Sequence, residues 1–280
     1  MQFKLGSRLG YSVDQETPFV FNIEAQTTDV QSVVREHLSI EPPLDIERWS
    51  MPESGNRYFR VIAPPGQLTI DYTATVDLAP TLEDPATVGE LTPAELPLAT
   101  FTHLYPSRYC QSDKLERFAR STFGSFDPGY NRVNGICNWI HDYVEYEGGV
   151  SDALTSAFDT VTTRAGVCRD FSHLAIALCR TLGMPARYVS AYASQLEPQD
   201  FHAVFEVYLR GPQGGSWYIF DATRMADPAG LVRIGLGRDA AEVAFCSPYG
   251  PVAFDKPEVW IEATTGALPA TVQAVRTTPT

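Results

Sequence analysis

Residues 166–189 read G-V-C-R-D-F-S-H-L-A-I-A-L-C-R-T-L-G-M-P-A-R-Y-V, and their pattern decides the fold. From Cys168 onward Phe171, Leu174, Ala175, Leu178 and Leu182 recur at helical spacing, and Gly183 followed by Pro185 stops the helix. Cys168 therefore falls in the first turn, just behind a loop containing Gly166. Unpaired amides and the positive end of the helix dipole stabilise a thiolate there. The Cys168 amide is also placed to donate to a developing oxyanion. His173 follows five residues later, about 500° round the helix, and so points away from the thiol. Asp170 is expected to act structurally, capping the helix amides or pairing with Arg169 or Arg187.

Working upstream, the spacing predicts three more helices. Ser112 or Asp113 is expected to cap a short one carrying Leu115, Phe118 and Ala119. Val133, Ile136, Cys137, Ile140 and Val144 form the stripe of a second. A third is predicted over 152–164, with Leu154, Phe158 and Val161 inward and Gly166 ending it. Trp139, Tyr143 and Tyr146 precede the nucleophile and carry N–H or O–H groups, so each is a candidate second oxyanion donor. Aromatic residues on a helix are more often core. Cys110, Cys137, Cys179 and Cys246 read as small buried hydrophobes.

Downstream, Ala203–Leu209 and Trp217–Phe220 are strand-like runs joined by R-G-P-Q-G-G-S, which reads as a hairpin. Paired positions in a hairpin share one index centre. The loop and the His202/Asp221 pair are centred within two residues of each other, so the two side chains are neighbours at the open end. A carboxylate beside a histidine fixes its tautomer and stabilises the imidazolium. An imidazolium beside a thiol at a helix N-terminus gives an activated ion pair. The candidate catalytic residues are thus Cys168 as nucleophile, His202 as its base and Asp221 orienting that histidine.

The first eighty residues read as β. Leu68, Ile70, Tyr72, Ala74, Val76 and Leu78 alternate with polar residues over eleven positions, which is a strand with one buried face. Turn residues at Pro42-Pro43, Ser54-Gly55-Asn56 and Pro64-Pro65-Gly66 separate it from its neighbours. The fold class is α+β: an antiparallel β-sandwich over 1–80, a proline-rich linker over 81–98, a catalytic domain over 99–262 and a tail over 263–280 adding little core.

Composition narrows the partners. Apolar residues make up 44% and the formal net charge is −13, which leaves no basic field for nucleic acid or an anionic membrane surface. The five cysteines form no C-x-x-C pair, and the histidines at 37, 103, 141, 173 and 202 show no metal-ligand spacing. No metal or cofactor is expected. The opening residues lack the apolar run of a secretory signal, so a cytoplasmic location is expected.

The block T-T-R-A-G-V-C-R-D-F-S-H-L-A-I-A-L-C-R-T-L-G-M-P-A-R-Y-V-S-A-Y resembles the nucleophile segment of bacterial transglutaminase-like domain proteins. F-H-A-V-F-E-V resembles their His-Ala-Trp-x-Glu strand and F-D-A-T-R their Asp-Pro-Thr-Asn strand end, while V-R-I-G-L-G-R-D-A-A-E-V-A-F is similar to their segment around Gly-Arg-Asp. The β-rich N-terminal region is similar as well. The resemblance implies a papain-like core and carries the catalytic roles onto Cys168, His202 and Asp221. Val204 stands where the family has Trp, and Ala222 and Arg224 replace its Pro and Asn. The implied chemistry is acyl transfer through a thioester on a protein, peptide or small amide substrate. Hydrolysis is favoured over amine cross-linking, because excluding water requires a dedicated acceptor tunnel. The rival class is a non-catalytic protein-binding module that uses the same fold as a scaffold.

Overall fold

The computed structural model describes residues 1–278. Strands β1 (Gln2–Val13), β2 (Thr17–Phe21), β3 (Gln31–Glu41), β4 (Glu47–Ser50), β5 (Arg57–Ala63) and β6 (Gly66–Leu78) come first. In β6 the alternation is realised as read: Leu68, Ile70, Tyr72, Val76 and Leu78 are buried. β1 and β6 pair antiparallel from Gln2↔Asp77 to Val13↔Gly66, and β3 lies on the other edge of β6. β2, β5 and β4 form a second sheet. The two sheets enclose Phe3, Leu5, Tyr11, Phe19, Phe21, Phe59 and Tyr72. Burial of each such side chain contributes about 1.5–3 kcal/mol.

The chain then forms β7 (Thr81–Glu83), α1 (Glu116–Phe123), α2 (Tyr130–Tyr143), β8 (Glu145–Tyr146), α3 (Ala157–Thr163), β9 (Ala165–Gly166) and α4 (Cys168–Thr181). β10 (Ala186–Ala193), β11 (Phe201–Gly211), β12 (Gly214–Phe220) and β13 (Leu231–Gly237) follow as an antiparallel sheet on which α4 packs. α1, α2 and α3 also pack on α4, so Ile176, Ala177 and Cys179 are buried along with the face read from the sequence. Arg180 is buried too, because its guanidinium closes off backbone ends: it donates to the carbonyls of Tyr105, Ala186 and Arg238.

Two helix starts differ from expectation. Neither Ser112 nor Asp113 caps α1; Ser112–Lys114 is a separate 3-10 turn and α1 begins after Leu115. α3 begins at Ala157 rather than 152. The Asp152 carboxylate accepts from Leu154 N and Thr155 N, folding those residues into a turn instead. Ser156 and Asp159 then form the capping box. Leu154 is 73% exposed and Phe158 faces outward, while Ala157 and Thr160 are the buried residues. The helix ends at Arg164 (φ 60°), and Gly166 belongs to β9.

The last elements redraw the expected boundaries. β14 (Cys246–Pro248) pairs with β2, and both β15 (Val252–Phe254) and β16 (Glu258–Thr265) pair with β1. The sandwich is therefore completed by residues beyond 245. β17 (Ala274–Thr278) inserts between β12 and β7, burying Ala274 and Val275. The expected tail is a strand of the sheet on which α4 packs. The expected linker is strapped to that sheet as well, with β7 at its edge and Leu91 and Leu96 packed on Tyr208 and Trp217. Proline forbids helix and central strand but not a three-residue edge strand between Pro80 and Pro85.

Candidate active site

α4 opens at Cys168, whose thiol is half-buried at the helix N-terminus. β9 and β8 fix the approach to it: they pair in parallel, Tyr146 opposite Gly166, and Glu147 N donates to Gly166 O at 3.0 Å. Gly166 is required by close packing, since a Cβ there would lie 2.7 Å from the Asp170 Cβ. Asp170 is fully buried. One carboxylate oxygen accepts from Val167 N at 2.9 Å, and the other takes Arg169 Nε and Nη2 at 3.1 and 2.9 Å. Its role is to cap the helix and hold Arg169; Arg187 goes to Glu206 instead.

His202 and Asp221 come from β11 and the end of β12. The ladder runs from Gly211↔Gly214 to Phe205↔Phe220, a tighter hairpin than the seven-residue loop expected. Beyond its last pair His202 and Asp221 are diagonal neighbours, and His202 Nε2 lies 3.0 Å from Asp221 Oδ2. Asp221 is itself held rigidly. Oδ1 accepts from Thr223 N and Oγ1 at 2.8 and 2.7 Å, and Oδ2 also accepts from Ala226 N at 3.0 Å. Burial raises the Asp221 pKa, but the His202 and Thr223 bonds outweigh it and hold the carboxylate below its ordinary range.

The imidazole is 2% exposed. Burial alone would lower its pKa, yet the bonds to Asp221 and to Cys168 push it up to about 10. Nε2 is taken by Asp221, so Nδ1, buried and without another partner among the described residues, is the nitrogen left for the thiol. The structure thus brings all three expected residues to one point.

His173 is elsewhere, as its helical angle implies. It stacks between Tyr109 and Tyr188, accepts from Ala240 N at 3.1 Å, and is lowered by burial to about 3, so it stays neutral. Of the three aromatic candidates only Tyr146 reaches Cys168. Its phenol is raised above the ordinary range by burial and then by that thiol, and its ring packs on Phe171 at 5.6 Å. Trp139 packs with Phe118, Phe123 and Tyr143 under the Arg164 guanidinium. Val204 is buried in the sheet beside Ile219 and Leu236. Arg224 adopts φ 59°, a left-handed conformation that suits the Asn it replaces, and reaches across to Asn134 and Asn138 on α2.

A cleft of about 400 Å³ runs from Cys168 and His202 between walls that include Tyr109, Tyr188, Ile234, Val243 and Phe245, with Asp200 on its rim. Sequence reasoning missed these. Asp200 alone stands near a residue read from the sequence, immediately before β11 and two residues from His202. Among the described residues no cluster of His, Cys, Asp or Glu is arranged for a metal, and no helix is long and apolar enough to cross a membrane.

Residues 116–222 match the transglutaminase-like superfamily core, and residues 1–96 match the bacterial transglutaminase N-terminal domain. The crystal structure of a "putative cysteine protease" from Cytophaga hutchinsonii is similar along almost all of both chains. It covers 99% of this chain and 97% of that one at 41% identity and a TM-score of 0.92. Uncharacterised proteins of Mycobacterium tuberculosis and Mycobacterium bovis are each 30% identical over 238 residues, covering 76% of this chain and 75% of theirs. A helix-borne cysteine in this fold defines a thiol-based enzyme. The chain belongs to the transglutaminase-like superfamily, with an N-terminal domain of the bacterial transglutaminase type.

Proposed function

We propose that the protein catalyses thiol-dependent acyl transfer on peptide or carboxamide bonds through Cys168, His202 and Asp221. The observation that carries this reading is the buried imidazole held at 3.0 Å by Asp221 on Nε2, in one cleft with a thiol at a helix N-terminus. The Cys168 sulfur attacks the carbonyl carbon, the C–N bond breaks, and His202 gives its proton to the leaving amine. The resulting thioester is attacked by water, whose proton returns to His202, releasing the acid and the thiolate. The Cys168 amide and the Tyr146 hydroxyl donate to the oxyanion in both steps.

Hydrolysis is favoured over cross-linking because Cys168 is partly open to solvent, so water reaches the thioester without a competing amine being bound first. The substrate is a peptide or protein, or a small amide sharing its carboxamide. Five free thiols suit a reducing, cytoplasmic setting. The test is intact-mass trapping of an acyl-enzyme from a peptide library, followed by product analysis in ¹⁸O-water with and without added amine. Acyl adducts on Cys168 and ¹⁸O-labelled acid support the reading. Amide products in dilute amine would move it to cross-linking, and no adduct in any library would leave a scaffold.

A further inference from the structure

The cleft beside Cys168 holds one charge that the acyl-transfer chemistry leaves unused. Arg169 is neutralised by Asp170 and also donates to Asp152 O. His202 is matched by Asp221. Asp200 remains. It immediately precedes β11, two residues before His202, and lines the cleft together with His202 and Cys168. One carboxylate oxygen accepts from Phe201 N at 2.7 Å. The other has no comparable bond among the described residues, and the cleft that Asp200 lines includes the apolar side chains of Phe201, Phe245 and Ile234. Burial raises the carboxyl's pKa, against the pull of Lys256 and His202. Lys256 stands on the exposed segment between β15 and β16. A half-buried carboxylate among apolar walls is stabilised by any cation that enters.

We propose that Asp200 is a specificity-determining residue that selects acyl donors carrying a cation, a lysine or arginine side chain or a free amine, close to the scissile carbonyl. The inference rests on the thiol reading above and adds the substrate class. It favours a cation over an anion because Arg169 is already paired and the chain as a whole carries −13, whose field repels acidic substrates.

The experiment uses three chloroacetamides of equal length ending in a guanidinium, a hydroxyl or a carboxylate, and reads the second-order rate of Cys168 modification by peptide mass spectrometry. The guanidinium probe is expected to react about tenfold faster than the hydroxyl probe, as one desolvated ion pair provides. Asp200→Asn should bring that ratio close to one, and Asp200→Lys should turn the preference toward the carboxylate. Lys256→Ala, at an exposed position with little risk to folding, should raise the ratio by removing the competing cation. Equal rates for the three probes on the native protein, or a preference that survives Asp200→Asn, would overturn the inference while leaving the thiol reading intact. Cys168 reacting no faster than Cys137 with every probe would overturn both.

Discussion

Burial disarms four of the five thiols; the fifth, Cys168, stands half-buried at the N-terminus of α4. Burial pushes Cys110, Cys137 and Cys246 up to about 12 and Cys179 well above the ordinary thiol range. At pH 6 iodoacetamide should therefore modify Cys168 while the other four stay silent, and His202→Ala should slow that modification by removing the imidazolium. Peptide-resolved labelling against pH checks this; five equal, slow thiols would make Cys168 an ordinary cysteine. The same pair sets a pH window for stability. His202 is raised from 6.5 to about 10, so its contribution is full below 6.5 and is lost as pH climbs through 10. Asp221 is lowered from 3.8, so its contribution is present above that value and fades as pH falls below it. The denaturation gap between wild type and Asp221→Asn should be widest from about pH 4 to 6.5 and close on either side. A gap that widened toward pH 10 would mean that the imidazole is neutral in the fold.

At the scale of elements, the site depends on two pieces of local pairing that spacing alone could not reveal. The β8–β9 pair is only two residues long on each strand, yet it swings Tyr146 onto Cys168. Tyr146→Phe should lower kcat about 10²–10³-fold, the typical cost of one oxyanion donor. Alkylation of Cys168 by iodoacetamide forms no oxyanion and should hardly change, so equal losses in both assays would make the tyrosine a packing residue. The second piece is Glu206, fully buried and shared among Arg187, Arg233 and Thr277. Its charge is kept despite burial by the two guanidinium groups, and the bonds tie β10, β11, β13 and β17 together. Glu206→Gln leaves two buried cations short of a partner and should cost about 3–5 kcal/mol in urea denaturation. What was legible in sequence follows the same logic. α4 was readable because its apolar period, its glycine stop and its cysteine agree, and His202 and Asp221 because a hairpin obeys one index rule. α3 was over-extended because Leu154 and Phe158 keep helical spacing although the Asp152 turn holds Leu154 outside the helix. Tyr109, Tyr188 and Phe245 join the cleft from distant segments, and no local pattern marks that meeting.

Taken whole, the molecule is interleaved rather than strung from two beads. β1 is flanked by β6 on one side and by β15 and β16 on the other, so the first sheet needs residues from both ends of the chain. Tyr192 of β10 and Val232 and Ile234 of β13 also enter the sandwich core. Polar bonds cross the same seam: Gln31 exchanges hydrogen bonds with the Arg233 backbone at 2.9 and 2.7 Å, and Asn56 does so with Leu236 at 2.7 and 2.8 Å. Buried amides of this kind are costly when left without partners, about 1–3 kcal/mol each. A fragment ending at residue 80 would expose one long edge of β1, lose β14 beside β2, and strip Gln31 and Asn56 of their partners on β13. It should therefore fail to fold cooperatively alone, even though its own sequence alternation is strong. The intact chain should unfold in a single transition, because neither core can open without stripping partners from the other. Hydrogen exchange offers the decisive reading, since amides of β1 and β10 should share one protection free energy near the global value. A folded 1–80 fragment, or β1 amides that exchange well before those of β10, would show instead that the N-terminal sheets form an autonomous domain.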